Sequence, residues 1–338
     1  MRDTITRASR RQGPPDLDRL SAHWQVALDA ADRALGAAGA SLPGAELQRR
    51  RRALTQERQE TAKTLVRLAH AVHVRPAPWL SPVPLRPEFL GLSPTATACL
   101  FDLDGVLTDS AVLHASAWGE VLDDLLLRLS ERAGMHFVPF DRDADYRTYL
   151  DGRLRLEGVH AFLGSRGIRL PEGRVDDPLD ADTAQALARR KGMVVERRLH
   201  ERGSTALVGA RRYLESAGHA GLKRAVISAS ANALAMLELA GLASLVDERV
   251  DADVIRAEHL RSRPAPDPLL AACRRLDVRP EQAVTFTHSP AGVAAGKAAG
   301  VAVIGIAAGP QGDLLRGFGA ERVYSSLSSL LDPRLAQT

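Results

Sequence analysis

The chain has 338 residues, 45% of them hydrophobic, with a formal net charge of +4 and only two cysteines. This length can fill a real core and more than one domain, whereas dispersed arginines without interleaved aromatics or a recognisable reader module argue against a nucleic-acid partner. With no apolar run of about eighteen residues, no apolar leader after Met1, and Cys99 and Cys273 in apolar contexts without CxxC spacing, the expectation is a soluble, cytoplasmic protein with buried reduced thiols, no zinc site and no membrane partner.

In chain order, residues 1–15 are polar and end at Pro14-Pro15, which predicts a disordered tail. Leu17, Leu20, Trp24, Ala27, Ala31 and Ala34 recur at spacings of three and four, the seam of an amphipathic helix that Gly36, Gly39 and Pro43 bring to an end. A second helical pattern runs from about Gly44 to Val74, with Leu47, Leu54, Leu65, Leu68 and Val72 on one face and Arg51 and Arg58 interrupting it. Together, 16–74 reads as a helical hairpin too small to stand alone, so self-association or a protein partner is expected of it. The basic run Arg49–Arg52 reads as solvated helix surface. Six prolines, from Pro76 to Pro94, are interleaved with Trp79, Leu80, Leu85, Phe89 and Leu90 and make 75–94 an extended linker lying along a surface.

From Thr95 onward short apolar runs alternate with helical stretches. The runs Ala98–Phe101, Arg224–Ile227, Ala283–Phe286, Val301–Ile306 and Arg322–Tyr324 predict a parallel sheet covered on both faces. Between the first and second, Ala115–Glu131, Tyr146–Arg166 and Ala181–Glu201 read as helices. The expected fold class is α/β: a Rossmann-like parallel sheet core over 95–114 and 205–338, an inserted all-helical cap over 115–204, and the N-terminal helical hairpin.

Ligands of such a sheet bind beyond the carboxyl ends of its strands, so the residues after each run should converge. These are Asp102 and Asp104, then Ser228 to Ser230, then Thr287, His288 and Ser289. Two carboxylates two residues apart suit phosphoryl transfer: one attacks phosphorus and the other manages the proton of the leaving or entering oxygen. Gly105 lets the backbone turn at this point, Ser228 can donate its hydroxyl to a phosphate oxygen, and Arg263 can offset the charge on the transferring group. A lone D-x-D more often caps a helix or faces solvent; the ordered set is what carries the reading.

The segment Phe101-Asp102-Leu103-Asp104-Gly105-Val106-Leu107-Thr108-Asp109-Ser110, followed by His114 and Trp118, resembles the opening of the haloacid dehalogenase superfamily, in its beta-phosphoglucomutase-like branch. Similarity continues through Asp151–Val159, Val226–Ser230 and Arg263–Asp267 to Ala291-Gly292, and covers roughly 96–331. The resemblance implies a phosphatase or a mutase of phosphorylated sugars that forms an aspartyl-phosphate and depends on Mg2+. Carried over by position, Asp102 is the nucleophile and Asp104 the general acid/base; Asp102, and Asp104 through its backbone, would ligate the metal. Ser228 becomes the phosphate hydroxyl, Gly152 and Arg155 hold the substrate's other phosphate, and His114 stands at the junction of core and cap.

Two departures matter. Arg263 stands where the family has lysine, keeping the charge but changing its shape. Thr287-His288 stands where the family has adjacent acids, and imidazole is a poor ligand for Mg2+. His288 is then a structural residue of a decayed site, the preferred reading, or a ligand with Asp102 for a softer metal such as Mn2+, Co2+ or Zn2+, or an imidazolium in place of the lost cation. Two functions follow. One is a hydrolase or mutase acting on a small phosphorylated metabolite, such as a sugar phosphate, with impaired metal dependence; the other is a decayed domain that binds a partner through its N-terminal helices.

Overall fold

The computed structural model describes residues 85–134 and 136–331. The expected tail, the hairpin over 16–74 with its self-association, and the first part of the linker lie outside the described residues.

Six strands form one parallel sheet in the order β3-β2-β1-β4-β5-β6. They are β1 (Ala98–Asp102), β2 (Lys223–Ile227), β3 (Glu248–Val250), β4 (Ala283–Thr287), β5 (Ala302–Ile306) and β6 (Arg322–Tyr324). Strand β1 is central and buried throughout. Alternation along it explains why: Cys99 and Phe101 enter one core, Ala98 and Leu100 the other. Phe101 stacks on Phe286 with ring centroids 4.7 Å apart, and Tyr213 meets both rings edge-on. The chain order reverses between β1 and β4, so the crevice at their carboxyl ends lies between the Asp102 and Thr287 termini.

The inserted helices are α1 (Ser110–Ala133), α2 (Arg155–Ser165) and α3 (Ala184–Arg202). Helix α1 runs without a break through the expected junction at 114/115. The chain leaves the core ahead of that point, at a contact with the returning chain where Thr108 bridges Ala206 and Asp109 exchanges hydrogen bonds with Thr205. The helix expected over Tyr146–Arg166 is interrupted. Tyr146–Leu150 forms a π turn, Asp151 turns extended, and Gly152 takes φ +72, a conformation that a helix cannot contain.

Strand β3 was not expected, because its Glu248-Arg249-Val250 sequence has one apolar residue and sits at the sheet edge. The described end of the linker is not wholly extended: Pro87–Leu90 makes one 3-10 turn with proline at its start, Leu90 and Leu92 are buried, and Tyr213 donates its hydroxyl to the Leu90 carbonyl at 2.9 Å. The remaining helices, α4 (Ala210–His219), α5 (Ala233–Leu239), α6 (Ala252–Ala257), α7 (Asp267–Arg275), α8 (Pro290–Ala299) and α9 (Pro310–Phe318), connect the strands.

Candidate active site

Asp102 ends β1, and the chain then coils tightly: Leu107 and Thr108 donate their N–H groups to the Leu103 carbonyl, and Gly105, at φ +71, donates to Thr108. This turn presents Asp104 beside Asp102. Asp102 is almost fully buried. Its Oδ1 accepts from the Arg263 guanidinium and its Oδ2 from the Thr287 hydroxyl at 2.7 Å. Burial pushes the Asp102 carboxyl up, but Arg263 and His288 outweigh it and hold it below its ordinary value.

Asp104 accepts from Ser110 on one oxygen and from Ser228, at 3.4 Å, on the other. His114 Nε2 lies 3.4 Å from the same carboxylate. Against the cost of burial, His114 and Ser110 hold Asp104 well below the usual carboxylate range. Behind His114 stands Lys191 of α3, whose Nζ is 2.8 Å from His114 Nδ1 and lies over the Trp118 ring. Burial, then Arg155, brings Lys191 down to about 7, while burial and Lys191 lower His114. A neutral His114 that accepts from Lys191 on Nδ1 presents an N–H to Asp104.

His288 follows β4 and reaches across the crevice. Its Nδ1 is 3.7 Å from Asp102 Oδ2, a charge contact, and its Nε2 is 3.3 Å from Asp151 Oδ2 of the insertion. Burial would lower its pKa, but Asp151 and Asp102 raise it to about 10. The ring lies flat against Gly105, where a Cβ would come within 2.7 Å of its carbons.

Of the expected residues, Asp102, Asp104, His114, Gly152, Arg155, Ser228, Arg263 and His288 line one cavity of about 40 Å³, with Thr287 behind Asp102. That free volume is small beside that of a typical small-molecule site. Two expectations shift in detail. Gly152 makes its close backbone approach to the Arg263 side chain, where a Cβ would come within 3.1 Å of Cδ. Arg155 faces the cavity from above Gly192 of α3 and donates to the Ala188 carbonyl at 3.4 Å. Lys191 also lines the cavity and was not anticipated, and Asp151, Arg153 and Trp118, which carried the resemblance without a role of their own, line it too. Lys191 carries a faint sequence signal: it is the single lysine within the predicted helix Ala181–Glu201, among alanines and arginines.

The donor set does not match Mg2+. That ion takes near-octahedral oxygen ligands, but the neighbours of Asp102 are a guanidinium, a hydroxyl and an imidazole. Among the described residues no group of three or more His, Cys, Asp or Glu is placed to hold a metal ion. Of the buried polar atoms at the cavity without hydrogen-bond partners, three are nitrogens, His114 Nε2, Arg263 Nε and His288 Nδ1, and one is an oxygen, Asp151 Oδ2.

Comparison with known proteins identifies the family. Residues 96–300 match the family model described as haloacid dehalogenase-like hydrolase. A Mycobacterium bovis protein named beta-phosphoglucomutase is 45% identical over 73% of this chain and 96% of its own length. The Bacillus subtilis beta-phosphoglucomutase is 28% identical over 63% of this chain and 84% of its own. The crystal structure of beta-phosphoglucomutase from Clostridium difficile shares the fold at a TM-score of 0.57, with 23% identity, covering 72% of this chain and 96% of that one. The chain belongs to the haloacid dehalogenase-like hydrolases, in their beta-phosphoglucomutase-like branch.

Proposed function

We propose that the protein transfers the phosphoryl group of a small phosphorylated metabolite, a sugar phosphate, as a phosphatase or phosphomutase. One observation carries the reading: Asp102 and Asp104 line one cavity with the Arg263 guanidinium and the His288 ring, whose Nε and Nδ1 lack hydrogen-bond partners, donors that suit an anion. An Asp102 oxygen attacks phosphorus, the bond from phosphorus to the leaving oxygen breaks, and that oxygen takes a proton from Asp104. Water, or a second hydroxyl in a mutase, then gives a proton to Asp104 and displaces Asp102 from the acyl phosphate. Each carboxylate oxygen has two lone pairs, so the bonds from Arg263 and Thr287 leave Asp102 able to attack. Arg263 offsets charge on the transferring group, the Ser228 hydroxyl turns from Asp104 toward it, and Arg155 and Gly152 hold the far end of the substrate.

The name of the mycobacterial relative makes glucose phosphates the first substrates to try. Phosphate release and glucose phosphate interconversion by the wild type, both lost in Asp102→Asn, support the reading. Inertness toward a panel of sugar phosphates at high enzyme concentration sinks it. The competing reading, a domain that binds a partner without turnover, draws on one feature: both oxygens of the expected nucleophile are already held by protein groups.

A further inference from the structure

The interior of the pocket has an electrostatic arrangement of its own around His288. Asp151 is buried, and its Oδ2 has no hydrogen-bond partner. A buried carboxyl group without a polar partner is costly, so a donor beside it is favourable. His288 Nε2, at 3.3 Å, occupies that place, and the other ring nitrogen faces Asp102. The imidazole is fitted between the two: the bare Cα of Gly105 accepts its face, and His288 O accepts from the Gln311 side chain at 3.1 Å. Arg263 covers the other oxygen of Asp102. A divalent cation entering here would meet a guanidinium and an imidazole already held between two carboxylates instead of free lone pairs.

We infer that this pocket binds and processes a phosphoryl group without a divalent cation, the fixed positive charge coming from Arg263 and from His288 clamped between core Asp102 and cap Asp151. The inference rests on the reading of the pocket as a phosphoryl site. His288 is a positioning and charge-supplying group that would reach the phosphoryl oxygens through its unpartnered Nδ1. Because Asp151 belongs to the insertion, the same contact ties the charge to closure: the ring is held on both sides only when the insertion is down.

The test is calorimetric titration of the full chain with inorganic phosphate, once with chelator and once with excess Mg2+. The expected result is binding in chelator, with a dissociation constant within about twofold of that in Mg2+. Binding only in Mg2+, or about tenfold tighter there, overturns the inference and leaves the phosphoryl reading intact. No binding in either condition overturns both. In chelator, His288→Gln should weaken phosphate by about tenfold or more, and His288→Lys should retain most of the affinity. Equal affinities for these two variants, each checked for folding by denaturant unfolding, would show that the ring's charge is irrelevant and overturn the inference. A Mg2+ titration without phosphate supplies a second readout: saturable binding to the wild type that Asp102→Asn abolishes also overturns it.

Discussion

Lys191 Nζ lies 2.8 Å from His114 Nδ1, so a buried lysine of α3 and a histidine of α1 form one polar column that ends on Asp104. Lys191 has no carboxylate ion pair among the described residues, and the cost of its burial sets a pH dependence. Its folded pKa of about 7 is below the ordinary lysine value. Between these values the unfolded chain binds more protons than the folded one, so the lysine's contribution to stability rises with pH from about 7 to about 10.4. Lys191→Met is expected to be more stable than the wild type at pH 6, by up to a few kcal/mol, with the advantage shrinking across that window. Urea unfolding over a pH series checks this. An advantage that grows with pH would refute the assignment.

Asp102→Asn separates chemistry from structure. Turnover is expected to fall by on the order of 10³ or more, because the amide cannot attack phosphorus. Stability should also fall, by up to about 3–5 kcal/mol, since the buried Arg263 guanidinium loses its carboxylate. Adding Arg263→Met should recover part of that loss. If the double variant is no more stable than Asp102→Asn, the unpaired charge is not the cause.

The state of Asp104 makes a prediction about substrates. Its carboxylate is held ionised by His114 and Ser110, so the acid form needed to protonate a leaving oxygen is the disfavoured one. Aryl phosphates, whose phenolate leaves without a proton, should react faster than alkyl phosphates in the first step, and Asp104→Asn should slow alkyl esters by a larger factor. Single-turnover rates for a series of leaving groups would test it; a flat dependence counts against this state of Asp104.

The core strands were legible because a strand buried on both faces must be apolar along its length, as Ala98–Phe101 and Ala283–Phe286 are. Asp102, Asp104, Ser228 and Thr287-His288 were legible as the residues that follow such runs, since strand ends converge by topology. The edge strand Glu248–Val250 was not, because it lacks a buried apolar repeat. Lys191 and Asp151 were not legible either. A lysine in a helix and an aspartate before a glycine both read as surface residues, and what buries them is the packing of the insertion on the core, which no local pattern encodes. His288 shows the limit most clearly: its replacement of a carboxylate was visible, whereas its contact with Asp151 depends on a distant loop.

Gly105→Ala tests whether the His288 ring is built into the site. Two costs are expected. At φ +71 a side chain is strained, by about 1–2 kcal/mol. The added methyl would also come within 2.7 Å of His288 Cγ and Cδ2, and the ring has Asp102 and Asp151 within charge contact of its two nitrogens. Together these should destabilise the protein by about 2 kcal/mol or more and weaken phosphate binding. His288→Ala removes the clash but not the backbone strain, so the double variant should be more stable than the sum of the single effects predicts. The coupling should be about 1 kcal/mol, the part of the Gly105→Ala cost that belongs to the ring. Additive effects in urea unfolding would mean that the imidazole moves aside freely, and a ring that moves freely could not serve as a fixed charge in the pocket.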